Sequence, residues 1–464
     1  MEPFELSLSA AATEISARRL SPVELTDSVL TRIEATEPQL GAFAHVTDEL
    51  ARKAAAHAEQ EIASGRYLGA LHGIPLGVKD LYDTAGVPTT SSSAVRAGIV
   101  PDTDSASVEQ LLGAGMVMVG KTHTHEFAFG GITPTTRNPW DTGRIPGGSS
   151  GGSGAAVAAG SCMVGMGSDT AGSIRIPATL CGTVGLKPTY GRASRRGVAS
   201  LAWSLDHVGP LTRNVTDCAH VLNAIAGYDR RDPASIDVPV PDYTAGLDDG
   251  IAGLRIGVPS DYFFEHVSED VERAVRTAID VLAGLGAELR EVSTPYAEQI
   301  LATEWAIVYP EASAYHQKDL RAKAELYLED TRLSLEVGEL VLATDYIKAL
   351  RIRTLMQRAW AEVFDDIDLM VMPGMPFAAP EVGATEVTWS DGVTEAISSA
   401  MIRLTSPGNL TGQPVLSVPV GFDAAGLPLG MQLTGRPFDE ATVLRAGRAY
   451  EQVSDAVGRI APVG

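Results

Sequence analysis

The chain has 464 residues, 45% hydrophobic and 20% charged, which is ordinary globular composition with length for a large core or for two or three domains. It carries 36 basic and 58 acidic residues, and a surface with net charge -22 repels phosphate backbones and anionic lipid, so neither nucleic acid nor membrane is an expected partner. The cysteines are Cys162, Cys181 and Cys218 alone, with no C-x-x-C, which argues against a disulfide framework or a zinc ribbon and fits a reducing, cytoplasmic compartment.

The N-terminal stretch has early acids and no basic flank before an apolar run, so no secretory signal is expected there. Nor does any apolar stretch approach the roughly 18 residues that a membrane span needs. Residues 1–65 read as helices. Ser21-Pro22-Val23-Glu24 is a capping box with proline at the first helical position, and Val23, Leu25, Val29 and Ile33 keep an apolar stripe. From about residue 70, short apolar runs alternate with helical segments: Ile74–Val78, a helix near Ser105–Leu112, then Met116–Val119 and later Met163–Met166. That alternation predicts an α/β fold on a sheet buried on both faces. Tyr228–Gly250, rich in Asp and Pro and without periodicity, reads as a surface connection. Beyond it come a strand near Leu254–Val258, helices, a strand near Leu369–Met372, and a hairpin of Val415–Val420 with Leu427–Leu433. No internal repeat is present.

Three motif matches lack the context their chemistry needs. Gly115–Thr122 fits G-x-x-x-x-G-K-[ST], but its middle, Met-Val-Met-Val, is itself a strand whose amides belong to a ladder. Gly147–Gly151 fits G-x-S-x-G, yet the preceding Asn138–Pro146 is broken by prolines and is no central strand. The histidines a serine triad would draw on, His207, His220, His266 and His316, have no telling context. His123 and His125 share a strand face in principle, but no third metal ligand accompanies them.

Two segments suit nucleophilic catalysis better. Lys79 ends the apolar run Gly73–Val78, and burial favours a neutral amine that can act as a base; an ion pair with Asp80 is the other reading. In Gly167–Pro177, small residues just before Ser173 allow backbone N–H groups to converge as an oxyanion hole; a plain capped helix start is the other reading. The run Pro146–Gly154, PGGSSGGSG, has the composition of a linker, but it lies inside the alternating region, where a tether would cut a sheet in half.

Gly147–Ser153, Ser168–Arg175 and Cys181–Thr189 together resemble the signature of the amidase signature family. Gly73–Asp80, Gly120–Thr122, Arg137–Trp140 and Asp206–Arg213 fall in the family order, and weaker likeness extends to Asp368–Pro376 and a final helix near Asp439–Tyr450. The resemblance implies a large central mixed β-sheet flanked by α-helices on both faces. It implies a single amidase domain over 1–464: N-terminal helices in 1–65, the signature core in 66–226, a surface connection in 227–250, and 251–464 completing the sheet. It implies Ser173 as nucleophile, Ser149 as bridging serine after a cis peptide bond, and Lys79 as base. The N–H groups of Thr170, Ala171, Gly172 and Ser173 would hold the oxyanion. Ala128, Phe129 and Gly130, with Ser149, would contact substrate, and Ser150, Asp169 and Arg175 would support the site. Ala171 stands where the family more often has Gly, so the loop must take a negative φ there.

The activity implied is hydrolysis of an amide C–N bond, with a small-molecule amide and water as partners and neither metal nor organic cofactor. Aryl acylamides, carbamates, esters and aliphatic amides all stay open; Phe127, Phe129 and Ile132 hint at an apolar or aromatic portion. A homodimer is the expected form of any assembly. The alternatives are a glutaminase-type A subunit of a tRNA-dependent amidotransferase and a non-catalytic binding protein on the same scaffold.

Overall fold

The computed structural model describes residues 2–463. The chain begins with α1 (Leu8–Ser16), α2 (Pro22–Leu40), β1 (Phe43–Val46) and α3 (Asp48–Ala63). Next come β2 (Pro75–Lys79), α4 (Ala106–Gly113), β3 (Val117–Thr122), α5 (Gly151–Ala159), β4 (Val164–Asp169), α6 (Arg175–Cys181), β5 (Val184–Lys187), β6 (His207–Thr212) and α7 (Val215–Ile225). Residues 227–254 hold no helix or strand. The second half brings β7 (Arg255–Pro259), α8 (Glu269–Gly284), β8 (Glu288–Val292), α9 (Ile300–Lys323), α10 (Glu329–Glu339), α11 (Ala343–Asp366) and β9 (Leu369–Pro373). It ends with β10 (Glu386–Thr388), β11 (Thr394–Ala396), α12 (Ile397–Thr411), β12 (Val415–Phe422), β13 (Pro428–Gly435) and α13 (Glu440–Glu451).

Eleven strands form one sheet in the order β1-β3-β2-β4-β6-β5-β12-β13-β9-β7-β8. β2 runs parallel to both β3 and β4, and β7 parallel to both β8 and β9; the other pairings are antiparallel. The sheet is therefore mixed. β2, β3, β4, β5, β6, β9 and β13 are buried at every residue, so both faces are covered. That is why their sequences read as unbroken apolar runs rather than alternating ones. At the start of α2, Ser21 Oγ accepts from the Val23 and Glu24 N–H groups, and Glu24 accepts from the Ser21 N–H at 2.9 Å, with Pro22 opening the helix. Among the described residues no helix is long and apolar enough to cross a membrane.

The first 65 residues are not helical throughout. β1 interrupts them and pairs antiparallel with β3 at the sheet edge, Phe43 opposite Thr122. Four residues are too few to show a period against the helices on either side.

The fold brings two parallel neighbours, β2 and β4, to end side by side. Lys79 closes β2, and Ser168 and Asp169 close β4. Ligands in α/β sheets sit outside the carboxyl ends of strands, and the loops after β2 and β4 converge there.

Candidate active site

Lys79 is fully buried with three hydroxyls around its amine. Its Nζ lies 2.8 Å from both Ser149 Oγ and Ser150 Oγ and 2.9 Å from Ser168 Oγ. Burial pushes its pKa well below that of an ordinary lysine, and the more distant charges of Asp169 and Asp206 offset only part of this. Asp80 does not pair with it. Successive residues at a strand end point to opposite sides, and Asp80 instead meets Lys121 Nζ at 3.4 Å and accepts from Thr90 Oγ1 at 2.6 Å. Lys121 also donates to Tyr82 O at 2.8 Å and Thr89 Oγ1 at 2.6 Å from inside β3, where no phosphate loop exists.

The Gly/Ser run is the buried start of α5. Every residue of Gly151–Ala159 is buried, as are Ser149 and Ser150 before it, and the Gly148–Ser149 peptide is cis. The Ser149 carbonyl accepts from the His125 N–H at 3.1 Å and from Thr133 Oγ1 at 2.9 Å. Ser150 Oγ donates to the Ser168 carbonyl at 3.2 Å. A Cβ on Gly152 would lie 2.5 Å from Ala42 O and from His123 N, so this glycine lets three backbone segments meet. Linker composition here serves close approach rather than flexibility.

Ser173 sits in the loop from β4 to α6. Asp169 organises that loop. Its carboxylate accepts from the Gly172 N–H at 2.8 Å, the Ile174 N–H at 3.1 Å, Arg175 Nε and Nη2 at 3.0 Å, and Asn409 Nδ2 at 2.9 Å. Burial alone would raise its pKa, but the Arg175 guanidinium, with Lys187 and the Asn409 amide, holds it well below the usual carboxylate range. Arg175 continues to Thr405 O and Gln432 Oε1, each at 2.8 Å. Among the described residues the N–H groups of Thr170, Ala171 and Ser173 have no hydrogen-bond acceptor, whereas that of Gly172 is taken by Asp169. The positive φ of the loop falls on Gly172, at 131°, and not on Ala171. A Cβ on Gly172 would meet Thr405 Oγ1 at 2.3 Å, which keeps glycine there.

Ser149 and Ser173 are brought together through backbone, by the Ser150 N–H donating to Ser173 O at 3.2 Å. Their hydroxyls share no hydrogen bond among the described residues. The Ser173 side chain instead fronts a cavity of about 310 Å³. Ala128, Phe129, Gly130 and Ala171 line it as well, while Ser149 and Lys79 do not. Ile132 lines it too, but Phe127 does not. Positive φ values at Phe127 (49°) and Ala128 (64°) turn the chain, so that Phe127 packs against His316 and Tyr327. A smaller cavity of about 210 Å³, lined by Ser168, Thr170 and Arg195 among others, shares Ala128 and Leu201 with the first.

Among the described residues no ring of a candidate histidine hydrogen-bonds the hydroxyl of Ser149 or Ser173, although His125 lines the Ser173 cavity and His207 the smaller one. His207 Nδ1 donates to Leu205 O at 2.6 Å, His266 Nε2 meets Asp391 at 2.9 Å, and His316 Nδ1 meets Tyr327 Oη at 3.1 Å. His123 pairs with Ser92 Oγ at 3.1 Å and His125 with Asp330 at 3.0 Å. Among the described residues, no three His, Cys, Asp or Glu side chains gather to hold a metal.

Several residues of this site escape a reading of the sequence. Ser168, the third hydroxyl on Lys79, stands in plain view beside Asp169 and is recognisable only by its place at the end of β4. Asn409 and Gln432 clamp Asp169 and Arg175 from more than 200 positions away, with no local signal. Trp305 and Tyr309 line the cavity from α9, and their four-residue spacing is the only available cue.

A family model for amidases matches residues 24–444. An amidase of Pseudomonas putida is 53% identical over 450 residues, covering 97% of this chain and 96% of that protein. The A subunit of the glutamyl-tRNA(Gln) amidotransferase of Chloroflexus aggregans is 45% identical over 478 residues, covering 97% of this chain and 96% of the relative. A solved structure from a vestigial protein complex that reveals the evolutionary origins of an s-triazine catabolic enzyme superposes with a TM-score of 0.93 at 35% identity, covering 98% of this chain and 100% of that one.

Proposed function

Because the chain belongs to the amidase signature family, we propose that it hydrolyses the C–N bond of an amide through an acyl-enzyme on Ser173, with Ser149 and Lys79 as proton relay. The observation that carries this is Lys79: an amine without a carboxylate partner among the described residues, pushed toward neutrality by burial, and 2.8 Å from the hydroxyl of Ser149.

A neutral amine has two N–H donors and one lone pair. Ser150 spends its own proton on the Ser168 carbonyl, so it accepts one Lys79 N–H, and Ser168 Oγ accepts the other. The lone pair is left for the Ser149 proton. Ser173 Oγ, turned about its Cα–Cβ bond toward Ser149, passes its proton to Ser149 Oγ as Ser149 gives its own to Lys79. Ser173 then forms the bond to the substrate carbonyl carbon. The free N–H groups of Thr170, Ala171 and Ser173 receive the oxyanion. Gly172, included with them on sequence grounds, serves better as the strut through which Asp169 shapes the loop. Collapse breaks the C–N bond, Ser149 returns a proton to the departing nitrogen, and Lys79 reprotonates Ser149. Water repeats the cycle on the acyl-enzyme and frees the acid. No metal or organic cofactor enters the proposal.

The reading as an amidotransferase component has the support of relatives of that name. The cavity favours it less. Among the described residues no Lys or Arg lines the cavity that holds Ser173, whereas Asp330 does, and Arg195 lines only the adjoining one, so inside the Ser173 cavity the α-carboxylate of glutamine would lack a cation. Hydrolysis of uncharged amides fits better.

Steady-state kinetics on a panel of amides tests the proposal. Ser173→Ala should abolish turnover, and Ser149→Ala and Lys79→Ala should each lower kcat by about 10²–10⁴. Normal hydrolysis by Ser173→Ala would overturn it.

A further inference from the structure

The lining of the Ser173 cavity is not evenly apolar. Trp305 and Tyr309 stand one turn apart on the same face of α9, with ring centroids 5.1 Å apart and planes 27° from parallel. The Tyr309 ring lies 5.6 Å from that of Phe129, which reaches in from the loop after β3. All three rings line the cavity that holds Ser173. They form an aromatic shelf, Ile132, Ile176 and Ile402 add aliphatic lining, and His125, Asp330 and Ser334 make part of the wall polar. A planar ring gains offset or edge contacts with such a shelf, beyond what burial of an aliphatic group of equal size would give. At about 310 Å³ the cavity is at the lower end of small-molecule sites, about 300–1,000 Å³, and suits one ring rather than several.

The room is also one-sided. A departing nitrogen must take its proton from within hydrogen-bond reach of the donor, about 2.6–3.2 Å. The donor is Ser149, which is fully buried and absent from the cavity wall, as is Lys79. Ser173 and Ala171 do lie on that wall. The adjoining cavity of about 210 Å³, lined by Ser168 and so on the side of Lys79, is the smaller of the two, which leaves the larger room to the acyl portion.

Granted the Ser173 acyl-enzyme, on which this assignment rests, we infer that the substrates are amides whose acyl group carries a single aromatic ring, seated on Phe129, Tyr309 and Trp305. The C–N bond breaks as the ester to Ser173 forms. The nitrogen takes the Ser149 proton and leaves as ammonia or a small amine, and water then releases the aryl-bearing carboxylic acid.

The test compares kcat/KM of the full chain for phenylacetamide, cyclohexylacetamide, acetamide and acetanilide. Phenylacetamide should exceed both cyclohexylacetamide and acetanilide by about tenfold or more. Tyr309→Leu and Trp305→Leu should each bring the phenyl-to-cyclohexyl ratio toward one. Equal or faster turnover of cyclohexylacetamide by the unmodified chain would overturn the ring assignment, and preference for acetanilide would overturn the placing of the ring on the acyl side. The unmodified chain decides both points, even where a variant fails to fold. Ser173-dependent hydrolysis of acetamide without ring preference would sink this inference alone. No hydrolysis of any amide, or hydrolysis by Ser173→Ala, would sink the underlying reaction with it.

Discussion

Lys79 and Lys121 are buried on neighbouring strands, and their surroundings separate their roles. Lys121 has Asp80 beside it, and against the pull of burial its pKa settles at about 8. Lys79 has only hydroxyls within hydrogen-bond reach among the described residues, and burial drives its pKa well below the ordinary lysine value. A base must be neutral to accept a proton. Activity should therefore be full above the Lys79 pKa and fall as pH drops through it, with the acid limb set well below the ordinary lysine value of 10.5. A pH profile of kcat/KM checks this, and a plateau reached only near pH 10 would speak against a buried neutral amine. Sequence alone leaves an Asp80 ion pair open. What decides is strand geometry, since adjacent side chains diverge and Asp80 finds Lys121, a partner from β3 that residue spacing does not reveal.

At the scale of elements, the loop from β4 to α6 is held by a buried pair, Asp169 and Arg175, 3.0 Å apart. Arg175→Met would leave the Asp169 carboxylate buried and unpaired, at a cost of about 3–5 kcal/mol. Urea unfolding at neutral pH should show a loss of that size, and an unchanged midpoint would mean that the pair does not hold the loop. Because the folded pKa of Asp169 is depressed, its contribution is present above the unfolded carboxyl value of 3.8 and is lost as pH falls through the folded pKa. Most strands are legible in the sequence because apolar runs follow directly from a sheet covered on both faces. β1 is not, being four residues between helices. The neighbours of Phe127 suggest a place for it on the cavity wall; two consecutive left-handed residues turn it away, and nothing in its type announces that.

The whole molecule explains why the signature region does not contain the whole site. β1 to β6 and β12 to β9 share one sheet, joined where β5 pairs with β12. Arg175 reaches Gln432 on β13 and Asn409 on α12, and the aromatic shelf draws on α9. A fragment of residues 1–226 should thus lack a cooperative unfolding transition and amidase activity, by circular dichroism and by assay. A folded, active fragment would show that the second half is dispensable. The blocks that resemble the family are readable because each is local. Partners more than 200 positions apart are not, because proximity there is created by the sheet. The proposed reaction turns on a covalent acyl-enzyme on Ser173 driven by Lys79. Its most direct test is peptide mapping by mass spectrometry after reaction with an alkyl fluorophosphonate. One adduct per chain is expected, on the peptide bearing Ser173, formed at least about a hundredfold more slowly in Lys79→Ala. Labelling of Ser173→Ala at the same rate, or an adduct on another residue, would contradict it.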